Sequence, residues 1–325
     1  MKKYLLLPVL LMAMLCSTTT RLCAQQGVVF TQYIFNGLII NPAYAGYQDV
    51  FNASMVYRTQ WVGIKSAPTT ITLLTDGTLL NGALGVGGHV MNDKVGAQQT
   101  MSLFTDYSYR LKIDRDGTRL AFGLSLGVTQ MSLDENEIRL NDPNDQILTS
   151  GSLHEVIYRP DFNIGVFFDH KRFSAGLSIT ELWGDFGLVK KNPQLYFTFQ
   201  TLVPINNNYT LKPALMYKDD FKMQPSVDLN CFLMVKDKVW IGLSWRNGIP
   251  FSGRMDKDLK NMIFQTSLNA LTFMSQVFIS ENFYLGYAYD FPLGKINTVS
   301  MGSHEVMLGF KMGRKAQRVL TPRYF

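Results

Sequence analysis

Residues able to do acid–base, nucleophilic or metal chemistry are few in this chain and widely scattered. There are four histidines, His89, His154, His170 and His304. No two stand at metal-ligand spacing, and neither His-Glu-x-x-His nor Cys-x-x-Cys occurs. Each reads as a solvated polar residue of a strand or turn. Ser152 and His154 offer a nucleophile and a base in one long loop. They lack a third group to hold the base and an oxyanion pocket to receive charge. Gly82 to Gly88 has the glycine density of a phosphate loop. It lies in an alternating strand, opens no helix and is not followed by Gly-Lys-Ser/Thr. Asp142-Pro143-Asn144-Asp145 supplies oxygens but not the spacing of a calcium loop, and reads as an Asx-type turn. Asp134, Glu135, Glu137 and Glu155 make the same loop acidic. These patterns point to no enzyme, no cofactor and no metal.

The charges that need explaining lie in or at the ends of apolar strands: Asp106, Asp228 and Asp290, with Arg58, Arg110 and Arg246 as candidate counter-charges. What positions them is a chain that is strand after strand. Apolar–polar alternation recurs between turns in about fourteen segments. These are 50–60, 69–76, 83–92, 98–110, 118–130, 161–169, 172–180, 194–204, 209–218, 225–235, 238–246, 264–279, 282–290 and 303–312. Leu120, Phe122, Leu124, Leu126 and Val128 face one way, and Ala121, Gly123, Ser125, Gly127 and Thr129 the other. Alternation alone fits a soluble sandwich with its greasy face inward, or a membrane barrel with its greasy face outward.

Three features favour the barrel. Connections alternate in length: short at 111–117, 170–171, 205–207 and 236–238, long at 131–160, 181–193, 247–263 and 291–302. Short turns on one side and long loops on the other mark an outer-membrane barrel, and the parity puts both chain ends on the short-turn, periplasmic side. Aromatics also pair with a charge at strand ends: Tyr57-Arg58, Tyr109-Arg110, Tyr217-Lys218, Trp245-Arg246 and Tyr289-Asp290. The ring suits the headgroup level and the charge suits water or a lumen. Finally, the small-polar face is rich in glycine, at Gly85, Gly123, Gly165, Gly242, Gly286 and others. Glycine weakens a strand unless another segment approaches closely or the sheet must bend. A closed barrel with a segment in its lumen supplies both reasons. In lipid, Asp106, Asp228 and Asp290 must then face that lumen, for structural pairing or for transport selectivity.

Residues 1–24 read as a secretory signal: Lys2 and Lys3, an apolar run from Tyr4 to Cys16, then a small polar tail before a cut at Gln25. A lipoprotein cut before Cys16 is the rival reading. Removing the leader lowers the formal charge from +6 to +3, too little to argue for nucleic acid. Cys231 is then the last cysteine, read as a small buried hydrophobe. Residues 25–49 are broken by Gly37, Pro42 and Gly46, and read as an extended aromatic arm, the candidate plug. The barrel occupies 50–312. Residues 313–325 form a basic tail ending in Tyr324-Phe325, either an assembly signal or a free periplasmic end.

The arm Gln32-Tyr33, Phe35-Asn36 and Asn41-Pro42-Ala43-Tyr44-Ala45-Gly46 resembles the N-terminal signature of the PorP/SprF family of the type IX secretion system of Bacteroidetes. Arg58, Gln60, Trp61 and Pro68 follow at the family's place. Gly85-Val86-Gly87 with Asn92-Asp93-Lys94 is similar to its third-strand hairpin. Gly286-Tyr287-Ala288-Tyr289-Asp290 and Gly302-Ser303-His304-Glu305 are similar to its closing hairpin. Gly37 stands where the family commonly has proline, and is expected to loosen the arm. The resemblance implies an outer-membrane barrel serving secretion or gliding, with no enzyme activity. Its implied partners are secreted proteins with type IX sorting domains, periplasmic parts of the machine, and outer-membrane lipid. The alternative left open is a porin or uptake channel for a small solute.

Overall fold

Among the described residues, fifteen strands form one antiparallel sheet whose last strand pairs with its first. They are β1 (Phe51–Thr59), β2 (Thr69–Leu79), β3 (Leu84–Val95), β4 (Gln98–Lys112), β5 (Arg119–Leu133), β6 (Ile157–Asp169), β7 (Phe173–Thr180), β8 (Gln194–Thr201), β9 (Val203–Asn206), β10 (Tyr209–Asp219), β11 (Ser226–Val235), β12 (Val239–Gly248), β13 (Ala270–Phe278), β14 (Phe283–Pro292) and β15 (Ser303–Met312). The computed structural model describes residues 30–115, 117–134, 156–183, 192–222, 225–249 and 269–312. β8 and β9 both pair with β10 and are interrupted only at Leu202, so they make one stave. The result is a closed barrel of fourteen staves. Closure removes every sheet edge, which a bilayer demands because lipid offers no partner for a bare N–H or C=O.

The barrel is inside-out relative to a soluble protein. Along β4, Thr100, Ser102, Asp106, Ser108 and Arg110 are buried, while Met101, Leu103, Tyr107 and Tyr109 are exposed. Along β5, Phe122, Leu124, Leu126 and Val128 are exposed, and Ser125 and Thr129 buried. The same holds around the wall, through Leu73, Leu177, Leu229, Leu243, Phe273 and Leu308. Soluble monomers rarely show an apolar patch beyond a few hundred Å². A belt of aliphatic and aromatic side chains around most of the wall is a lipid-facing surface.

Strand limits follow the periodicity closely, with departures at both mouths: β2 and β4 run to Leu79 and Lys112, past 69–76 and 98–110, toward the short turns. β3, β5 and β6 extend several residues further toward the long loops than 83–92, 118–130 and 161–169. There they pair with one another and with β4, from Thr100↔Met131 to Gln98↔Leu133 and Met131↔Ile157. Backbone pairing above the membrane needs no apolar alternation, so hydropathy does not reveal it. The expected strand 264–279 starts at Ala270, and 264–268 lie outside the described residues.

The arm is not extended. Gln32–Ile34, Gly37–Ile39 and Pro42–Tyr44 each form a single turn of 3-10 helix. A backbone buried away from water must satisfy its N–H groups. The arm has no strand partner, so it bonds to itself, as in Phe35 N–H to Gln32 O at 3.0 Å and Tyr44 N–H to Asn41 O at 3.1 Å. Asn41 caps the third turn through Ala43 N–H, and Pro42 sits at its first position, where a missing N–H costs nothing.

Candidate functional site

The residues picked out by the family resemblance lie far apart in sequence, and three of them meet inside the barrel. Arg58 on β1 points into the lumen near the end where the long loops attach. Its guanidinium reaches Asp290 Oδ2 on β14 at 2.7 Å and Glu305 Oε2 on β15 at 3.0 Å. All three side chains are buried. The arm completes the network. Thr31 and Gln32 donate their backbone N–H groups to the two oxygens of Glu305 at 2.9 and 2.8 Å. Thr31 Oγ1 donates to Asp290 and accepts from Arg58 at 2.7 Å. Thr272 on β13 supplies a further donor to Asp290 at 2.7 Å. A forked, charge-assisted cluster of this kind is worth its desolvation only because nearly every lone pair is met.

Below this latch the arm crosses the lumen, and wall side chains satisfy its main chain. Ser178 on β7 donates to Ile40 O. Ser108 on β4 donates to Ala43 O at 3.0 Å, and Lys212 on β10 to Ile34 O at 3.4 Å. Asp76 on β2 accepts from Gly46 N–H at 2.9 Å. Asn36 donates to Ser54 at 2.7 Å, and Asn41 to Val166 O at 3.1 Å. Tyr33 accepts from Asn230 at 2.7 Å. The Tyr44 ring lies against Tyr47 and Phe167.

Glycines on the wall make the seat. A Cβ added at Gly85 would strike Ala45 O, one at Gly123 the Ala43 backbone, one at Gly165 the Asn41 side chain, and one at Gly286 Gln32 Oε1. Gly127, Gly242 and Gly309 instead make room for the rings of Phe104, Phe232 and Tyr284 on neighbouring strands. Gly37 does not loosen the arm: the Tyr44 ring covers it, and a Cβ there would come within 2.6 Å of Tyr44 Cδ2.

At the short-turn end, Asp49 closes the arm. It receives two bonds from Arg119 at 2.7 and 2.8 Å and an ion pair from Arg110 at 2.9 Å. Burial pushes its carboxyl up, but the hydrogen bond from Arg119 and the charges of Arg110 and Arg119 outweigh that and hold it below the usual aspartate value.

Other expected charges also find lumen partners. Arg246 pairs with Asp228 through three bonds of 3.0–3.1 Å. Asp106 pairs with His89 Nδ1 at 2.9 Å. His89 is therefore no solvated strand residue, because its inward position gives it a buried carboxylate and a stacked Phe104 ring. Tyr57, Tyr109 and Trp245 face outward while Arg58, Arg110 and Arg246 beside them face inward. Cys231 is exposed, not buried, since its alternation partners Asp228 and Asn230 own the lumen side. Three residues that carried the resemblance lie off the latch. Gln60 N–H bonds Pro68 O at 2.9 Å and Trp61 N–H bonds Ser303 Oγ at 3.2 Å, both above β1. Tyr287 is on the outer face, 2.9 Å from His304 Nδ1. Ser152, His154 and Asp142 to Asp145 lie outside the described residues.

Sequence reasoning missed Asp49, Ser108, Ser178 and Lys212. The only signal was indirect: each is an inward residue in the alternation, or flanks the arm. The cavity between arm and wall, lined by Tyr33, Ile40, Phe167 and Thr198 among others, holds about 30 Å³. That admits a water or two and no substrate. Among the described residues, no three His, Cys, Asp or Glu side chains are placed to hold a metal ion.

The barrel resembles solved membrane channels in fold. A TodX variant described as a monoaromatic hydrocarbon channel matches with a TM-score of 0.51 at 9% identity, covering 85% of this chain and 94% of that one. CymD, described as a monoaromatic hydrocarbon channel, matches at 0.51 and 8%, covering 87% and 93%. Omp33, an outer membrane protein of Acinetobacter baumannii, matches at 0.47 and 10%, covering 81% and 97%. Among curated proteins none matches this chain. The family model described as type IX secretion system membrane protein PorP/SprF matches residues 22–310, taking in the arm, the latch and nearly the whole barrel. An inside-out wall of fourteen staves, with Arg58, Asp290 and Glu305 gathered on its arm, is thus the structure of a chain that belongs to the PorP/SprF family of type IX secretion membrane proteins.

Proposed function

We propose that this protein is a closed, non-conducting barrel of the outer membrane that serves type IX secretion by receiving or anchoring sorting-domain proteins at the cell surface. The observation that carries this reading is the pairing of the family match over residues 22–310 with a lumen crossed by the arm. A barrel so occupied offers its partners surfaces rather than a path. The strand ends that lead into the long loops face the cell exterior, and the short turns face the periplasm, where the machine's other parts can reach them; residues 313–325 lie outside the described residues. Arg58, Asp290 and Glu305, with Asn36, Asn41, Pro42, Ala43, Tyr44 and Gly46, keep the arm seated. Gln60 and Trp61 shape the adjoining loop. Deleting the gene and assaying secretion and surface display of sorting-domain proteins tests the proposal. Loss of display supports it, and undiminished display overturns it.

The channel reading draws on the hydrocarbon channels of similar fold, a likeness of fold alone at under a tenth identity. It needs an open lumen, and the seated arm counts against one. Single-channel recording decides between the two: steady ohmic conductance from purified protein favours the channel, and silence favours the closed barrel.

A further inference from the structure

The two ends of the arm lie at opposite mouths of the barrel. Its C-terminal end is at the short-turn mouth, where Asp49 binds Arg110 and Arg119. Those arginines flank the β4–β5 turn, near the last residue of β4 and at the first of β5. Its N-terminal end is at the long-loop mouth. Thr31 and Gln32 bind Glu305, the third residue of β15, and Thr31 binds Asp290, two residues before the end of β14. The 293–302 loop joins those two strand ends. It bonds the β1–β2 loop through Val62 N–H to Gly302 O at 2.8 Å and Met301 N–H to Val62 O at 2.7 Å. The arm therefore descends the lumen from the long loops to the turns.

Beneath the latch the β11–β15 side of the lumen is filled: Met307, Met274, Phe232 and Trp240 are 0% exposed, and Tyr284 is 2% exposed. Gln32 is pressed against Gly286, and Phe35 meets the Phe232 ring edge-on at 5.3 Å.

We infer that the chain enters the lumen at Thr31 from the long-loop mouth, so the arm begins on the opposite face from the start of β1. This replaces the parity argument for the N-terminus, which assumed that whatever precedes β1 stays on β1's side. Only the naming of that face as the cell surface rests on the proposed orientation. A binder on that face has a grip on the plug without entering the barrel, and the first bonds it loads are those of Thr31 and Gln32 to Glu305. Assembly must close the wall around the arm, because a sealed lumen leaves no route for later threading.

The test is site-specific labelling with a membrane-impermeant maleimide, on whole cells carrying the full chain with Cys231→Ser. Gln26→Cys is compared with Lys65→Cys in the β1–β2 loop and Glu281→Cys in the β13–β14 turn. The expected result is that Gln26→Cys labels under the same condition as Lys65→Cys. Labelling together with Glu281→Cys overturns the inference. So does labelling only after unfolding, because a chain leaving by the mouth is exposed there. If Lys65→Cys and Glu281→Cys exchange behaviour, the orientation fails, while the match between Gln26→Cys and Lys65→Cys still stands or falls by itself.

Discussion

Replacing Arg58 by alanine removes a single cation from a site with two buried carboxylates. Asp290 keeps donors from Thr31 and Thr272, and Glu305 keeps the two arm N–H groups. Neither keeps a positive charge at contact distance, and both belong to side chains under about a tenth exposed. Removing one partner of a buried ion pair costs about 3–5 kcal/mol. The retained hydrogen bonds argue for the lower end, so Arg58→Ala should cost about 3 kcal/mol, roughly a hundredfold in the unfolding equilibrium. The assay is the temperature at which the folded barrel loses its compact band on a detergent gel. A second variant isolates the cause. Arg58→Ala with Asp290→Asn and Glu305→Gln removes the stranded charges, and should be more stable than Arg58→Ala alone despite carrying more changes. If the triple variant is as weak as the single one or weaker, charge pairing is not what Arg58 contributes, and the reasoning fails.

Gly123→Ala places a methyl group against the Ala43 backbone, whereas Gly77→Ala meets nothing nearer than 3.8 Å. Overpacking of this kind costs about 1–3 kcal/mol, so the first should unseat the arm, seen as protease cleavage near Ala43, and the second should not. Asp49 has a depressed pKa, so its contribution is complete above the unfolded aspartate value of about 3.9 and is lost as pH falls through the lower folded value. The lower clamp should be unaffected from pH 7 to 5 and weaken below about 4; Asp49→Asn should remove that acid step from a pH series of arm protection. Leu243 faces outward on β12, 55% exposed. Leu243→Arg should cost about 2–4 kcal/mol in bilayer folding titrations if the residue meets the lipid core, and almost nothing if it meets water.

Strands, their faces and the lumen-directed charges were legible because alternation with a period of two is a property of the local chain. Leu120 to Val128 declares an apolar face wherever it is placed, and glycines on the opposite face declare that something comes close. The 3-10 turns of the arm were not legible. Its glycines and proline argue correctly against a long helix, yet they do not say whether the chain lies extended or coils on itself. That was decided by burial, which forces N–H groups without a strand partner to bond within the arm. The environments of Cys231 and His89 likewise depended on which side of the wall was wet.

The sequence by itself determined a barrel-forming wall, the side each residue takes on it, and the absence of a recognisable catalytic motif, because periodicity and residue type are written residue by residue. Only the tertiary structure decided that Arg58, Asp290 and Glu305 close on Thr31 and Gln32, and that Asp49 clamps the far end. The contacts of Asp290 and Glu305 with Arg58, Thr31 and Gln32 join positions more than two hundred residues apart through the pairing of β15 with β1. Barrel closure and register create that proximity, and no local pattern in the chain encodes it.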